Sequence, residues 1–508
     1  VLILNQNKFM MKKRDFIVAS VSLLVLGRPF CGQAQFSLTG QLRTRTELRD
    51  GYGTLEIKGN TPAFLTSQRA RLNFNYHSSR VIFQTSLQDV RVWGADASTI
   101  NNADGNRLSL HEAWADIILA NAKDSTLPGN AVEYFSVKIG RQELVYDDQR
   151  LLGNLDWLQQ ARRHDAVVFK LLHKGWQADL GAAFNQNSDA IGYNGTYYTP
   201  ANLPPYVKDS KGNLAPTPAA MIPLANTAGL SARTGSPVLA TAAGTNGMNQ
   251  DYKSMQFLYL AKKFGSTRIA GLAFSDEFAK YSLDSVKNIA GADTGYIYGR
   301  RFNHSGVNAR FTTGALLSSQ LGQRKDWTLQ AGYYYQMGKS KDGAGLGAYT
   351  TTLSLGYARQ NFIWTAGWDY VKGGFDPLYG TPHKFWGSMD YFYAASGSPA
   401  GGLNNPFLKG KYTSSGGRFS AELAYHYFAF ADDQKDSKGN LLSKYLGSEV
   451  DATLNYGLNK ITTLELGACW MAATTSMEYA KGITPGSARL NAGWAYLQIN
   501  IRPDFFSK

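Results

Sequence analysis

The feature that most constrains this chain is a period-2 alternation of apolar and polar residues held over long segments. In 327–337, Trp327, Leu329, Ala331, Tyr333, Tyr335 and Met337 fall on one face, with Thr328, Gln330, Gly332 and Gln336 on the other. Segment 349–358 sets Leu353, Leu355 and Tyr357 against Thr350, Thr352 and Ser354. In 362–370, Phe362, Trp364, Ala366, Trp368 and Tyr370 oppose Thr365, Gly367 and Asp369. Successive strand side chains point to opposite faces, so each segment makes a strand with one apolar and one polar face. Such segments run about ten residues, the length a tilted strand needs to cross a bilayer. Strands of soluble sandwiches are commonly shorter.

The same reading along the chain predicts strands at 36–48, 66–77, 80–93, 107–120, 133–142, 160–173, 176–186, 251–264 and 267–279. It continues with 298–313, 326–338, 348–359, 361–373, 405–414, 418–430, 445–458, 461–474 and 491–502, eighteen in all. The links sort by parity. After even-numbered strands they are mostly tiny, such as Ser78-Ser79, Lys174-Gly175, Gly265-Ser266 and Asn459-Lys460. After odd-numbered strands they are mostly long, the longest from about 187 to 250. Short periplasmic turns facing long outer loops produce this pattern; a soluble all-β protein has no reason to sort its loops. Links 121–132 and 314–325 break the rule. The expected fold is therefore an all-β, transmembrane antiparallel barrel.

The N-terminus fits export. Lys12, Lys13 and Arg14 precede an apolar stretch from Phe16 to Gly27 and a small-residue exit at Gly32-Gln-Ala34, the layout of a cleaved signal peptide too short to span a bilayer. Residues 1–34 are read as an N-terminal extension plus leader, and 35–508 as a single outer-membrane barrel. Without the leader, 47 basic and 37 acidic residues remain, a net charge of +10. A soluble basic chain would suggest a nucleic-acid partner; an exported one argues against it. Cys469 is then the lone cysteine, so no intrachain disulfide forms. The 65 aromatic residues, 29 of them tyrosine, supply the interfacial girdles that a lipid-embedded barrel carries.

Charge decides which face is inside. A lysine or arginine facing lipid at the bilayer midplane costs about 2–4 kcal/mol. Arg69, Arg71, Asn73 and Asn75 alternate with Ala70, Leu72, Phe74 and Tyr76, and Arg43, Arg45 and Glu47 with Leu42, Thr44 and Leu48. These arginines are expected in the lumen, with Gln84, Ser86, Gln88 and Lys138. By the same parity Glu422, Glu449, Asp451 and Glu465 point inward from the last strands. Closure brings an arginine-rich arc beside an acidic one around a polar interior, which favours polar or charged solutes.

Three stretches look like more than wall: Leu87-Gln-Asp-Val-Arg-Val-Trp-Gly94; Gly140 to Gly153, continuing to Trp157 and Arg162-Arg-His-Asp165; and Phe375 to Gly387, leading to Asp390-Tyr-Phe. Asp89 and Arg91 are out of phase with Gln88, as a bulge or strand end at the rim allows. Segment 143–159 mixes Leu, Trp and paired acids with Arg150 and can fold inward as a constriction ordered by ion pairs. A GRQ at a strand end, a following DxQR and a later GTxHKFxG loop together resemble the alginate-export family of outer-membrane proteins, over about Phe36 to Phe506. That resemblance implies an eighteen-stranded monomeric barrel with an arginine-rich constriction for a polyuronate. It implies Arg45, Arg71, Arg91, Arg141, Arg150 and Arg163 as constriction or rim residues, with Asp89, Asp148 and Asp165 as their ion-pair partners. Added to the inward Arg43 and Arg69, these form the candidate pore lining. The implied partners are outer-membrane lipid and lipopolysaccharide, an anionic polysaccharide or small polar solutes, and periplasmic export proteins.

Chemistry finds little support. Asp147-Asp148 are adjacent acids in a charged loop, better read as arginine partners than as an acid–base pair. The seven histidines lack close metal-ligand spacing, and no cofactor or metal is assigned. No G-x-S-x-G elbow occurs, and Gly343-Ala-Gly-Leu-Gly347 reads as a hairpin loop. A passive channel, not an enzyme, is expected, with a nutrient porin as the rival and a barrel hydrolase as the remote alternative.

Overall fold

The computed structural model describes residues 35–94, 108–124, 132–185, 199, 203–239, 252–290, 293–302, 306–393 and 398–507. The expected leader, within residues 1–34, falls outside these residues, as does much of the 187–250 link. The described barrel strands are β1 (Gln35–Asp50), β2 (Ala63–His77), β3 (Val81–Val92), β4 (Ser109–Asn121), β5 (Tyr134–Gln142) and β6 (His164–His173). They continue with β7 (Trp176–Phe184), β8 (Ser254–Phe264), β9 (Thr267–Ala279), β10 (Val307–Leu321), β11 (Trp327–Lys339) and β12 (Gly345–Arg359). The last six are β13 (Phe362–Lys372), β14 (Leu403–Thr413), β15 (Phe419–Ala429), β16 (Tyr445–Gly457), β17 (Thr462–Ala473) and β18 (Asn491–Ile501). Each pairs antiparallel with the next, and β1 pairs with both β2 and β18, so the sheet closes on itself. A short tail, Asp504–Ser507, extends the seam against Ser37–Thr39 of β1.

Closure satisfies the ladder hydrogen bonds that lipid could not. The apolar face of each strand points out: Leu42, Leu72, Leu353, Leu355 and Trp364 are exposed, while Arg43, Arg69, Thr350 and Thr352 are buried. Outward aromatics form two girdles. On the turn side, Trp327 and Tyr357 lie 4.6 Å apart and Phe362 and Tyr412 5.0 Å apart. On the loop side, Tyr333 and Tyr349 are 5.8 Å apart and Tyr427 and Tyr445 4.9 Å. Such belts sit at the membrane–water interfaces.

One predicted strand is misplaced. Segment 298–313 is in fact divided. Residues 298–301 belong to a separate hairpin, Ser282–Ala290 with Asp293–Arg301, and β10 runs on to Leu321. The hairpin joins Met221–Ala225 and Ser236–Pro237 in a small sheet on the loop side, outside the barrel ladder. The longer β10 reduces the following link to 322–326, so one of the two exceptions to the parity rule disappears.

The interior departs from a uniformly wet lumen. Link 143–163 and the described residues of link 373–402 (373–393 and 398–402) fold into the barrel, and their side chains build its main apolar core. Leu151, Leu152, Phe375, Tyr379, Trp386, Met389, Tyr391 and Phe392 pack against Phe257, Phe274, Val371, Phe428 and Trp494 of the wall. The loop-side half of the lumen is thus packed like a soluble core. Polar cavities occupy the turn-side half.

Candidate functional site

On the luminal wall Arg43 lies directly across from Arg69, and Gln41 from Arg71. Like charges opposite one another are unfavourable, so this arrangement needs counter-charge, and link 143–163 supplies it. The Asp156 carboxylate bridges Arg43 at 3.3 Å and Arg69 at 2.9 Å. Backbone carbonyls of Asp156, Trp157 and Leu158 accept from Arg43 at 2.7, 3.3 and 3.2 Å. Arg45 donates to the Trp157 carbonyl at 2.8 Å, and its guanidinium lies 4.1 Å from the indole centroid. Burial would raise the Asp156 carboxyl, but Arg69 and Arg43 outweigh it and hold it at about 2.

Deeper in the same link Arg150 is buried between Asp148 at 3.4 Å and Asp369 of β13 at 3.2 Å. Its guanidinium also donates to Thr352 at 3.1 Å and lies 4.1 Å from the Phe385 ring centroid. Asp147 pairs with Arg268 and accepts from Tyr259 at 2.6 Å. The adjacent acids are therefore both engaged by arginines.

Link 373–402 is anchored on β9, β10 and β16. Tyr379 donates to Asp276 at 2.7 Å, and Arg310 reaches both Asp276 and Asp376. The Met389 and Ser388 N–H groups donate to Glu449 at 2.8 Å and Asp451 at 3.2 Å. The expected acidic arc therefore holds a loop at these two residues, and Glu422, Asp451 and Glu465 line a cavity. The two loops are joined to each other. Trp157 stacks on His383 at 3.7 Å and 11°, Arg162 donates to the Gly380 carbonyl at 2.8 Å, and the Gly153 N–H donates to the Tyr379 carbonyl at 2.9 Å. Burial brings the His383 imidazole down to about 3, so it stacks as a neutral ring.

Four candidate residues are placed elsewhere. Register sets Asp89 opposite Ala70 and Arg91 opposite Gln68, on the outer face of β3, where the two form a pair at 2.7 Å. Arg141 and Asp165 face each other on the outer side of β5 and β6, bonded twice at 2.8 Å. Both pairs sit at loop-side strand ends, where water reaches them and the cost of facing lipid falls. They are rim pairs and line no constriction. Arg163 is buried beside the second pair; burial and then Arg141 bring its guanidinium down to about 10. Arg43, Arg45, Arg69 and Arg71 stand on the inner face of β1 and β2, and Asp148 and Arg150 on the inward link.

Three polar cavities lie beneath the loops. One, about 620 Å³, is lined by Asp148, Lys384, Lys409, Glu422, Glu465 and Tyr496 among others. One of about 390 Å³ contains Gln41, Arg69, Arg71, Asp156 and Arg502; another of about 490 Å³ contains Glu112, Lys138, Glu143 and Asp179. Residues not singled out in the sequence include Asp156, Asp369, Lys384 and Lys409. Asp156 and Lys384 stand within the unusual stretches and Asp369 on the polar face of the 362–370 alternation, whereas Lys409 is an isolated polar position with no local signal.

Solved structures with the same fold include an outer membrane protein and a porin. OccAB4 of Acinetobacter baumannii is 12% identical, with a TM-score of 0.53 over 94% of this chain and 100% of its own. OpdK of Pseudomonas aeruginosa is 11% identical, with a TM-score of 0.53 over 93% and 99%. A BenF-like porin from Pseudomonas fluorescens is 12% identical, with 0.53 over 92% and 99%. No curated protein matches the chain. In sequence, residues 34–184, which span β1 to β7 with the arginine wall and the first inward loop, match the alginate export family.

Proposed function

We propose that this chain is an outer-membrane channel for polar anionic solutes, with an acidic polysaccharide of the alginate type as cargo. The carrying observation is the wall of Arg43, Arg45, Arg69 and Arg71 beside a turn-side cavity that also receives Arg502. A polyuronate presents a carboxylate on every sugar, and guanidinium groups bind carboxylates with strong, directional hydrogen bonds. Arg150, ordered by Asp148 and Asp369, stands on the inward loop over the larger cavity. The match to the alginate export family covers this wall and supports the cargo.

Planar-bilayer recordings test the reading. Oligouronate added on the turn side should block single-channel current in a length-dependent manner. In Arg69→Ala/Arg71→Ala the block should weaken at least about tenfold, the loss of roughly one charge-assisted hydrogen bond, and anion preference should fall. Unchanged block and unchanged ion selectivity would overturn it.

A second reading, a substrate-selective porin, is favoured by the packing of both loops into the lumen, which leaves cavities of about 620 Å³ or less. A structural neighbour, OpdK, has been solved with vanillate. Liposome-swelling rates separate the two readings. Entry of small carboxylates without oligouronate block indicates the porin.

A further inference from the structure

β4 carries a bulge. Ser86 of β3 pairs with Glu112, yet Leu87 pairs with Leu110, so His111 is the additional residue. Bulges re-aim side chains and recur beside functional sites; this one turns two consecutive residues toward the lumen, with His111 0% and Glu112 8% exposed. On the neighbouring strand, Gly140 has φ +121°, and a Cβ there would lie 2.3 Å from the Ala113 carbonyl oxygen. Only glycine allows that approach, which brings Glu143, at the root of the inward loop, beside the bulge. The Glu143 N–H donates to Glu112 at 3.3 Å. One ligand atom from each of His111, Glu112 and Glu143 lies within 4.8 Å of the other two.

We propose that His111, Glu112 and Glu143 form a binding site for a zinc-class divalent cation, which ties β4 to the root of the 143–163 loop. The carboxylates are already oriented by neighbours. Gln84 and Trp114 donate to Glu112 at 2.6 and 2.9 Å, and Asn154 donates to Glu143 at 2.8 Å. Hydrogen bonds of this kind fix ligands around a metal. The imidazole faces the cluster through one nitrogen. Its Nε2 lies 2.8 Å from Glu143, but its Nδ1 has no hydrogen-bond partner among the described residues although the ring is buried. Nε2 is the nitrogen that faces the carboxylates, so a cation there would replace the contact with Glu143 and leave the ring proton on Nδ1.

Glu112 and Glu143 line the 490 Å³ cavity, which gives an ion and its waters a route to the site. One imidazole and two carboxylates with positions left for water suit Zn²⁺ and its first-row neighbours. The charges of Arg71 and Arg163 also reach the imidazole. They repel any divalent ion alike, so the nitrogen ligand, which suits Zn²⁺ and not the oxygen-seeking Ca²⁺, is the selective term. Spacing along the chain conceals the site, because the third ligand comes from the root of the inward loop.

The test uses the full refolded protein in detergent, stripped with chelator and titrated with Zn²⁺ by calorimetry and with Co²⁺ by visible absorption. The expected result is about one ion per chain, with Ca²⁺ binding at least tenfold weaker. Glu143→Gln and His111→Asn should weaken Zn²⁺ binding at least tenfold, and Gln84→Ala, outside the ligand set, by roughly 10–100-fold. Unheated gel mobility establishes that each variant is folded. Absence of Zn²⁺ binding by the parent protein overturns the proposal, and so does equal binding by the folded Glu143→Gln protein.

Discussion

Arg150 shows how strongly single residues hold the inward loops. Its two carboxylate partners differ in kind: Asp148 belongs to the same loop, whereas Asp369 belongs to the wall and is 2% exposed. Removing one member of a buried pair leaves the other charged and desolvated, at a cost of about 3–5 kcal/mol. Arg150→Ala should therefore destabilise the barrel in chemical denaturation by roughly that amount, and adding Asp369→Asn should restore part of the loss. Gly387, at φ +87°, lies where a Cβ would meet the Glu449 carboxylate at 2.7 Å. Gly387→Ala should cost about 1–3 kcal/mol and release the Met389 contact, seen as faster amide exchange in the loop. Asp390 titrates near neutrality, because burial pushes its carboxyl up to about 7 despite hydrogen bonds from Tyr52 and the His383 N–H. A carboxyl raised on folding binds its proton more tightly when folded. Its contribution is full below about pH 4 and is lost as pH rises through 7. Amide exchange over 383–391, corrected for intrinsic rates, should be faster at pH 8 than at pH 5.5, and Asp390→Asn should remove the difference. Parity alone places Arg43, Arg45, Arg69 and Arg71, since a lipid-facing arginine is costly. It cannot place Asp89, Arg91, Arg141 and Asp165, because at a strand end water relieves that cost.

Elements were legible where a period existed. Seventeen strands lie within a few residues of their alternating segments, including Leu403–Thr413, whose alternation is the poorest. The exception is 298–313, where two unrelated strands abut and their combined pattern imitates one. Link 373–402 has no period, so its packing into the lumen was illegible; its aromatic content marks it only as unusual. The Ser282–Ala290 and Asp293–Arg301 hairpin pairs with no barrel strand. Replacing 282–301 by a short Gly-Ser linker should therefore leave barrel formation unchanged, checked by heat-modifiable gel migration. Failure of that protein to form a barrel would assign the hairpin a role in folding.

At the scale of the whole molecule, the two charged arcs act on the loops before they act on any solute. Arg43 and Arg45 hold one loop by its carbonyls, and Glu449 and Asp451 hold the other by its N–H groups. The pair that completes the cylinder is also the most distant in sequence: Leu42–Asp50 meets Gly493–Ile501, and Ser37–Thr39 meets the tail. Neighbouring strands can pair as soon as both have emerged, but this ladder waits for nearly the last residues to arrive. Until then two edges with unpaired N–H and C=O groups stand open, each a template for a foreign strand, and contacts of such separation form slowly. The hazard of misassembly is thus concentrated in time as well as in place, at a single seam that closes last.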